Sequence, residues 1–280
     1  MTLNPYDAAL EQALAYDAAF VPRFAQRFGE RLLLALDLPP RANVLDLACR
    51  TGYPAVQVLD RVRDGRVIAL DQDARFLELA RARAGTDLGR RIFFKQGSPT
   101  SLGFSDEIFT NVIGNLIDRA TGDRTAVLTE SARVLRPGGQ LALTLPLRGS
   151  FLEVVDMLRE IALRHDLGGL GERVDQYVHA MPTVESLRVE FESHGFERVS
   201  VDAWEFSLEY ASSGDLLSDP LVQSAALAEW RFCAEATDQP DDVMLELRRC
   251  IDTYFEGRRF MLTVVGGCAV GQRAAAPLDE

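Results

Sequence analysis

Residues 44–52 read Val44-Leu45-Asp46-Leu47-Ala48-Cys49-Arg50-Thr51-Gly52, an apolar strand that runs into a tight turn with an acid near the strand's end. Turns built from small residues bind nucleotide-like cofactors, because the backbone can approach the ligand closely. A second apolar run, from Arg66 to Asp71, also ends in an acid. It lies about 20 residues beyond the turn, where the next parallel strand delivers a carboxylate to ribose hydroxyls. We therefore expect Asp46 and Asp71 to face one ligand.

After Pro39-Pro40, short apolar runs alternate with helical segments, which is typical of parallel strands joined by right-handed crossovers. The predicted strands are Asn43–Leu47, Arg66–Asp71, Ile92–Gln96, Ile108–Gly114, Gln140–Leu145, Glu197–Tyr210 and Phe260–Gly271. The predicted helices are Pro54–Arg63, Asp73–Ala84, Arg124–Val134, Phe151–Arg164 and Pro182–His194, with Gly195 ending the last one. Two further helices, interrupted near Pro22, are predicted between Pro5 and Leu36, and the glycine-rich residues Gly168–Gly171 are predicted to form a mobile loop.

A second motif strengthens the assignment of this sheet. It reads Ala132-Arg133-Val134-Leu135-Arg136-Pro137-Gly138-Gly139-Gln140-Leu141 and precedes the predicted fifth strand. Together with D-L-A-C-R-T-G at residues 46–52, it resembles the class I methyltransferases that use S-adenosylmethionine, whose first motif commonly reads D-x-A-C-G-T-G or D-x-G-x-G-x-G. The resemblance runs roughly from Leu32 to Leu147. It implies an α/β fold with a doubly wound, mostly parallel seven-stranded sheet and an antiparallel terminal hairpin.

The resemblance also implies a set of cofactor contacts for S-adenosylmethionine. Asp46 would hold the turn and hydrogen bond toward the ligand's ammonium, Gly52 would let the backbone approach, and Asp71 would accept the ribose hydroxyls. Ser98 stands where the family commonly has an acid at the adenine amine. Ala48, Arg50, Gln72 and Asn115 complete the predicted set. Asp71 has a second interpretation as a helix cap in the strand-to-helix turn.

Arg50 departs from the family's small residue, and a long cation there would be repelled by a positively charged sulfonium. It can also swing outward, or pair with Asp46 or with the ligand's carboxylate. Ser98 and Thr110 are further departures. The leading hypothesis is a small-molecule methyltransferase that works by direct in-line transfer. The alternative is a non-catalytic methyltransferase-like protein that acts as an interaction or regulatory module. An NAD-dependent dehydrogenase fits the motifs less well.

Methyl transfer from a sulfonium needs little acid–base chemistry, because the leaving group is neutral. No catalytic triad or metal site is predicted, and His165, His179 and Asp118 are candidate general bases for the acceptor. The methyl acceptor should lie at the carboxyl ends of the strands.

The composition of the chain makes some classes of binding partner unfavourable. The net charge of -12 and pI near 4.8 oppose nucleic acids and anionic membranes, whose phosphates require clustered cations. The first residues lack the basic start and apolar core of a signal peptide, so a cytoplasmic protein is expected. The four cysteines show no close pair and are expected to be buried free thiols.

Four segments are predicted to have different roles. Residues 1–40 would form a helical lid, residues 41–210 and 258–272 the methyltransferase-like core, and residues 273–280 a flexible tail. Residues 211–257 would be a helical insertion, serving as a substrate cap or as a surface for a homodimer or protein partner.

Overall fold

The computed structural model describes residues 11, 13–117 and 121–275, which fall into two compact units. The first comprises the described residues of Met1–Leu145, Val184–Asp202 and Gly267–Glu280, and the second comprises Pro146–Thr183 and Ala203–Gly266. Within the described ranges, every helix is too short or too polar to cross a lipid bilayer. The division into lid, core, insertion and tail stays a prediction.

A seven-stranded sheet organises the chain. Its strands are β1 (Asn43–Leu47), β2 (Arg66–Asp71), β3 (Ile92–Gln96), β4 (Phe109–Gly114), β5 (Leu135–Pro146), β6 (Phe196–Tyr210) and β7 (Phe260–Arg273). Their spatial order is β3-β2-β1-β4-β5-β7-β6, and the strands from β3 to β5 in this order pair in parallel. The antiparallel hairpin at the end of the sheet confirms the predicted fold class. Strands β1, β2 and β3 have the predicted bounds, because each is a short, largely apolar run with a polar residue at one end or at both.

Crossover helices cover the sheet of the first unit. They are α3 (Ala55–Arg61), α4 (Ala74–Ala84) and α5 (Arg124–Val134), and α8 (Val184–Ser193) follows β5 later in the chain. One buried cluster joins β1 and β2 to α3 and α4, with Val44, Val58, Val67 and Leu77 all fully buried. The aligned strand ends are thus fixed by a packed apolar core.

Two consecutive helices precede β1, namely α1 (Tyr16–Ala25) and α2 (Gln26–Ala35). The predicted interruption near Pro22 is wrong, because α1 passes through Pro22 as a π-helix. Proline removes an amide donor and collides with the carbonyl one turn earlier, and a wider turn accommodates both effects. Residues 1–10, which include the start of the predicted lid, lie outside the described residues.

The Pro-Gly-Gly motif lies inside β5 rather than before it. Phe109 pairs with Leu135, but Asn111 pairs with Gln140, so the residues between Leu135 and Gln140 loop out as a bulge. A Cβ on Gly139 would lie 2.8 Å from the Arg136 carbonyl oxygen and 3.0 Å from that of Thr110. The motif therefore resets the register between β4 and β5.

Helices dominate the second unit. Helices α6 (Leu152–Arg164) and α7 (Gly168–Ala180) pack together, and α9 (Ser213–Ser218), α10 (Pro220–Val222), α11 (Ala228–Ala234) and α12 (Pro240–Tyr254) follow β6. Trp230 is fully buried, with its ring against Phe151 at a centroid distance of 6.0 Å, so it is a core residue of this unit. The prediction that Gly168–Gly171 forms a mobile loop is wrong, since these residues are the first turn of α7.

The bulge in β5 gives a stability prediction with an internal control. Gly139→Ala should lower the free energy of unfolding by about 2–3 kcal/mol, because its methyl group meets backbone atoms that cannot move independently. Gly138→Ala should cost only about 1 kcal/mol, for the left-handed backbone, because among the described residues beyond its chain neighbours no atom lies within 4 Å of its Cβ position. Urea denaturation followed by circular dichroism measures both values. Equal losses in the two variants would contradict the proposed backbone contact at Gly139.

Candidate cofactor site

The turn after β1 is fastened to the end of β2. Asp46 pairs in register with Ala69, and the Cys49 amide donates to the Leu70 carbonyl at 2.7 Å. Within the turn, the Gly52 amide donates to the Cys49 carbonyl at 2.8 Å. These bonds bring the ends of the two strands, and their acids, to one edge of the sheet.

Asp46 is fully buried, and neither of its carboxylate oxygens has a hydrogen-bond partner among the described residues. Burial, and then the neighbouring charge of Asp71, raise the pKa of Asp46 well above its ordinary value of 3.8. A buried carboxylate without partners is costly to a fold. Asp46 therefore carries an unused capacity to bind a cation or hydrogen-bond donors.

Asp71 is also buried, but both of its oxygens accept hydrogen bonds from the backbone. One oxygen accepts from the Arg50 amide at 2.8 Å and the other from the Asp73 amide at 2.9 Å. Asp73, rather than Asp71, provides the side-chain cap of α4. Each carboxylate oxygen has two lone pairs, so these bonds leave acceptor capacity on Asp71. Asp71 thus holds the turn in place, a role that the sequence had not suggested.

Arg50 adopts a left-handed backbone, with φ at 49°. Such a conformation costs a non-glycine residue about 1–2 kcal/mol, which explains why glycine suits this position. The Arg50 guanidinium carbon lies 5.5 Å from the ring centroid of Phe76 in α4, within the range of a cation–π contact. Among the described residues no carboxylate forms an ion pair with Arg50, so pairing with Asp46, one of the three options for this side chain, is not observed there.

Helix α1 contacts the turn through a polar cluster. The Thr51 hydroxyl donates to Asp17 at 2.6 Å, and Arg83 donates to the Thr51 hydroxyl at 3.2 Å and to the Thr51 carbonyl at 3.0 Å. Arg83 also pairs with the other oxygen of Asp17. This cluster of Asp17, Thr51 and Arg83 fixes α1 over the turn. This cluster could not be predicted from the sequence, because the three residues are far apart in the chain and no motif connects them.

Gly52 allows α4 to pack closely against the turn. Its backbone has φ at 93°, and an added Cβ would lie 3.2 Å from both the Cα and the Cβ of Ala80. A side chain there would be strained and would press on α4. Ala48, at φ 52°, also adopts the left-handed backbone.

The remaining predicted contacts make bonds within the protein. Ser98 shares a hydrogen bond of 2.7 Å with the Thr100 hydroxyl, and the exposed Gln72 donates to the Thr121 carbonyl at 3.2 Å. The Asn115 side chain donates to the Ala25 carbonyl at 3.1 Å and accepts from Thr144 at 2.7 Å. Asn115 therefore joins the end of α1 to the sheet.

The candidate general bases are not all described. His165 and His179 belong to the second unit, where both are exposed, and the Nδ1 atom of His179 lies 2.7 Å from the Asp175 carbonyl oxygen. Asp118 lies outside the described residues. All four cysteines are buried thiols that form no disulfide, as predicted, and burial raises the pKa of Cys49, Cys250 and Cys268.

Residues 44–139 match a family described as "Methyltransferase domain". This match covers the turn after β1, the acid at the end of β2 and the bulge in β5. The fold is that of the class I methyltransferases.

Comparisons with individual proteins agree with this fold. The chain is 26% identical over 217 residues to an arsenite methyltransferase from Halobacterium salinarum, a match that covers 75% of this chain and 52% of the relative. The chain spans about half the length of the curated relatives it matches, 52% and 55% for the first two.

Two solved structures share the fold. The YcgJ protein from Bacillus subtilis has a TM-score of 0.58 at 15% identity, over 89% of this chain and 98% of that one. A phosphoethanolamine N-methyltransferase 2 from Haemonchus contortus, in complex with phosphomonomethylethanolamine and S-adenosylhomocysteine, has a TM-score of 0.55 at 13% identity. That match covers 94% of this chain and 57% of that one.

The pKa of Asp46 predicts a pH-dependent stability difference. An acid whose folded pKa is raised stabilises the fold below its ordinary pKa, and this contribution is lost as pH rises through the raised value. Asp46→Asn removes the buried charge, so at pH 8 its melting temperature should exceed the parent's by about 2–4 °C, or roughly 1 kcal/mol. The two curves should meet as the pH falls towards 3.8.

Asp71→Asn is the matched control, because Asp71 accepts two backbone amides. It should lower the melting temperature at pH 8, since each lost bond to a charged acceptor costs about 1.5–3 kcal/mol. Thermal scans from pH 4 to pH 9 measure both variants. A lower melting temperature for Asp46→Asn at pH 8 would show that the Asp46 charge is compensated within the ligand-free protein.

The contact between α1 and the turn gives a prediction on local dynamics. Asp17→Ala removes the acceptor of both Thr51 and Arg83, so the backbone amides of Tyr16–Ala25 should exchange with solvent about fivefold faster, for a loss near 1 kcal/mol. Hydrogen–deuterium exchange read by mass spectrometry measures this rate. Glu30→Ala is the control, because Glu30 accepts from Gln26 within α2 and should leave the rate of α1 unchanged. An equal acceleration in both variants would refute a specific tie at Asp17.

Proposed function

We propose that this chain is an S-adenosylmethionine-dependent methyltransferase that acts on a small molecule by direct in-line methyl transfer. The observation that best supports this proposal is that Asp46 is a fully buried carboxylate whose two oxygens have no hydrogen-bond partner among the described residues. A cationic ligand at this edge of the sheet would compensate the charge that the fold leaves uncompensated.

The residues at the edge fit this cofactor. Asp46 would take its ammonium, directly or through water, and Asp71 would use its remaining lone pairs for ribose hydroxyls. Gly52 lets the turn pack closely against Ala80 of α4, which would fix the backbone beside the place proposed for the ligand's methionine part. Ala48, Arg50, Gln72, Ser98 and Asn115 stay proposed contacts. When bound, the cofactor supplies a methyl group on a positively charged sulfur.

The residues of this chain would then contribute orientation and exclusion of water, which in-line transfer mainly requires. Helix α1, held over the turn by Asp17, would help to exclude water from this edge. His165, His179 and Asp118 remain candidate bases for a hydroxyl or amine acceptor.

A small molecule is the favoured acceptor for two reasons. The net charge of -12 repels polyanionic substrates in general, and the Halobacterium relative is named for a small substrate, arsenite. We do not propose arsenite itself as the substrate of this chain, because soft ligands of that kind are bound by thiolates. Burial keeps Cys49, Cys250 and Cys268 protonated by raising the pKa of each.

Arg50 supports the alternative, a non-catalytic methyltransferase-like protein that binds a partner through residues 211–257. The left-handed backbone of Arg50 suits glycine, and its guanidinium introduces a cation next to the place proposed for a sulfonium. Two features reduce the repulsion between the Arg50 guanidinium and a sulfonium. The guanidinium lies against Phe76, and Asp46 and Asp71 place two negative charges near the same turn.

Isothermal titration with S-adenosylhomocysteine tests the proposal, and we expect the parent protein to bind. Asp46→Ala should weaken binding about tenfold to a hundredfold, the value of one or two bonds to a charged group. Asp60→Ala, at an exposed acid of α3, is the matched control and should bind like the parent.

Arg50→Gly separates the two functions. If the parent and Arg50→Gly bind S-adenosylhomocysteine with similar dissociation constants, the enzyme hypothesis is supported, because the guanidinium then does not hinder binding of the ligand. A parent that shows no heat at millimolar ligand, together with an Arg50→Gly variant that binds, would establish the non-catalytic alternative.

A further inference from the structure

A hollow of 510 Å³ lies in the first unit, at the amino-terminal ends of β1 and β2. Asn43 and Arg66, the first residues of these strands, belong to its lining. Six arginines line it, and we call it the arginine hollow: Arg41, Arg63, Arg66, Arg90, Arg91 and Arg136. Among the described residues, Asp64 is the single acid that lines it. Asp46 and Asp71 lie towards the opposite ends of the same two strands.

The arginine hollow is positively charged, although the chain as a whole is negatively charged. Acidic residues outnumber basic ones in the whole sequence by 42 to 30, whereas the hollow has six cations and one carboxylate. Like charges gathered this closely repel one another and lower the stability of the fold. Binding of an anion would explain why the chain keeps these arginines together although their repulsion lowers its stability.

Most of these guanidinium groups are not neutralised within the protein. Arg41, Arg63 and Arg90 are exposed, and their side chains make no hydrogen bond or ion pair with any described residue. Two others bond to neutral oxygens: Arg66 donates to the Asn43 side chain at 3.0 Å, and Arg136 donates to the Glu107 carbonyl at 3.3 Å.

Arg91 is the partly compensated member of the cluster. It donates to the Val62 carbonyl and lies 3.8 Å from Asp87, a distance near the limit of an ion pair. The positive charge of the arginine hollow is therefore available to a ligand.

The backbone that carries these side chains is held in place. The Asp64 amide donates to the Pro40 carbonyl at 3.0 Å, and the Arg66 amide donates to the Ala42 carbonyl at 3.0 Å. On the other side, the Val67 amide donates to the Arg91 carbonyl at 2.8 Å. Three segments that are separate in sequence are thus joined by backbone bonds, so the guanidinium groups surround a defined space rather than a mobile loop.

We propose that the arginine hollow binds a small anion that carries a diphosphate or triphosphate group. Guanidinium groups bind phosphate oxygens with paired hydrogen bonds, and several of them match the charge of a phosphate chain. The volume lies in the range of small-ligand pockets. A concave site of this size with all its cations at one place fits a compact polyphosphate better than an extended nucleic acid, which needs a long basic surface. This site is independent of methyl transfer.

Titration calorimetry with inorganic tripolyphosphate at constant ionic strength tests the proposal. We expect the parent to bind, and the double variant Arg63→Ala/Arg90→Ala to bind at least about tenfold more weakly, because each guanidinium bond to a charged oxygen contributes a factor of that order. Since neither side chain makes a bond within the described protein and both contribute to the repulsion in the cluster, the melting temperature of this variant without ligand should be equal to the parent's or slightly higher. The control Arg188→Ala/Arg249→Ala changes the net charge equally at exposed positions outside the hollow and should bind like the parent.

A parallel titration with ADP identifies the source of the phosphate group. Tighter binding of ADP than of pyrophosphate indicates a nucleotide, and equal binding indicates a free phosphate chain; both support the proposal. Three outcomes would overturn the proposal. The first is that neither tripolyphosphate nor ADP binds. The second is that the control double variant loses as much affinity for tripolyphosphate as Arg63→Ala/Arg90→Ala does, and the third is that sodium sulfate gives the same heat as tripolyphosphate at the same ionic strength. An acidic peptide that binds while the phosphates do not would overturn it too, and would identify the hollow as a protein-binding surface.

Discussion

The Arg50 amide donates to the Asp71 carboxylate, and much of the candidate site depends on this bond. It joins the turn after β1 to the end of β2, alongside the bond from the Cys49 amide to the Leu70 carbonyl. Asp71 is satisfied by these contacts and fixes the turn, whereas Asp46 on the adjacent strand is left without a described partner. One acid thus stabilises the geometry, and the other keeps its binding capacity within that geometry.

Much of the fold could be predicted from the sequence, because the signals are local. Strands β1, β2 and β3 are short, largely apolar runs with a polar residue at one end or at both, and their bounds agree with the prediction. The positions of Asp46 and Asp71 at one edge follow from the parallel pairing of β1 with β2. The side-chain roles did not follow, because spacing alone does not show which carboxylate the turn's own amides occupy.

The missed features depend on tertiary contacts. Glycines favour a loop at Gly168–Gly171, but Leu170 is fully buried, and packing of α7 against α6 outweighs the poor helix propensity of glycine. Pro22 indicates a helix break, yet a π-helix absorbs it. The cluster of Asp17, Thr51 and Arg83 joins residues from three distant segments, so no local pattern could reveal it.

The two ends of β1 and β2 carry opposite charge, and this separation has a physical use. Asp46 and Asp71 lie at the carboxyl ends, and the arginine hollow lies at the amino ends. Asn43 and Asp46 are three residues apart on β1, which corresponds to about 10 Å. Asp46 and Asp71 are buried, and salt screens buried charges much less than exposed ones, so their attraction to the guanidinium groups persists over this distance. A single sheet in an acidic chain can therefore present a site for a cation at one edge and a site for an anion at the other, and the opposite charges of the two edges attract each other through the sheet.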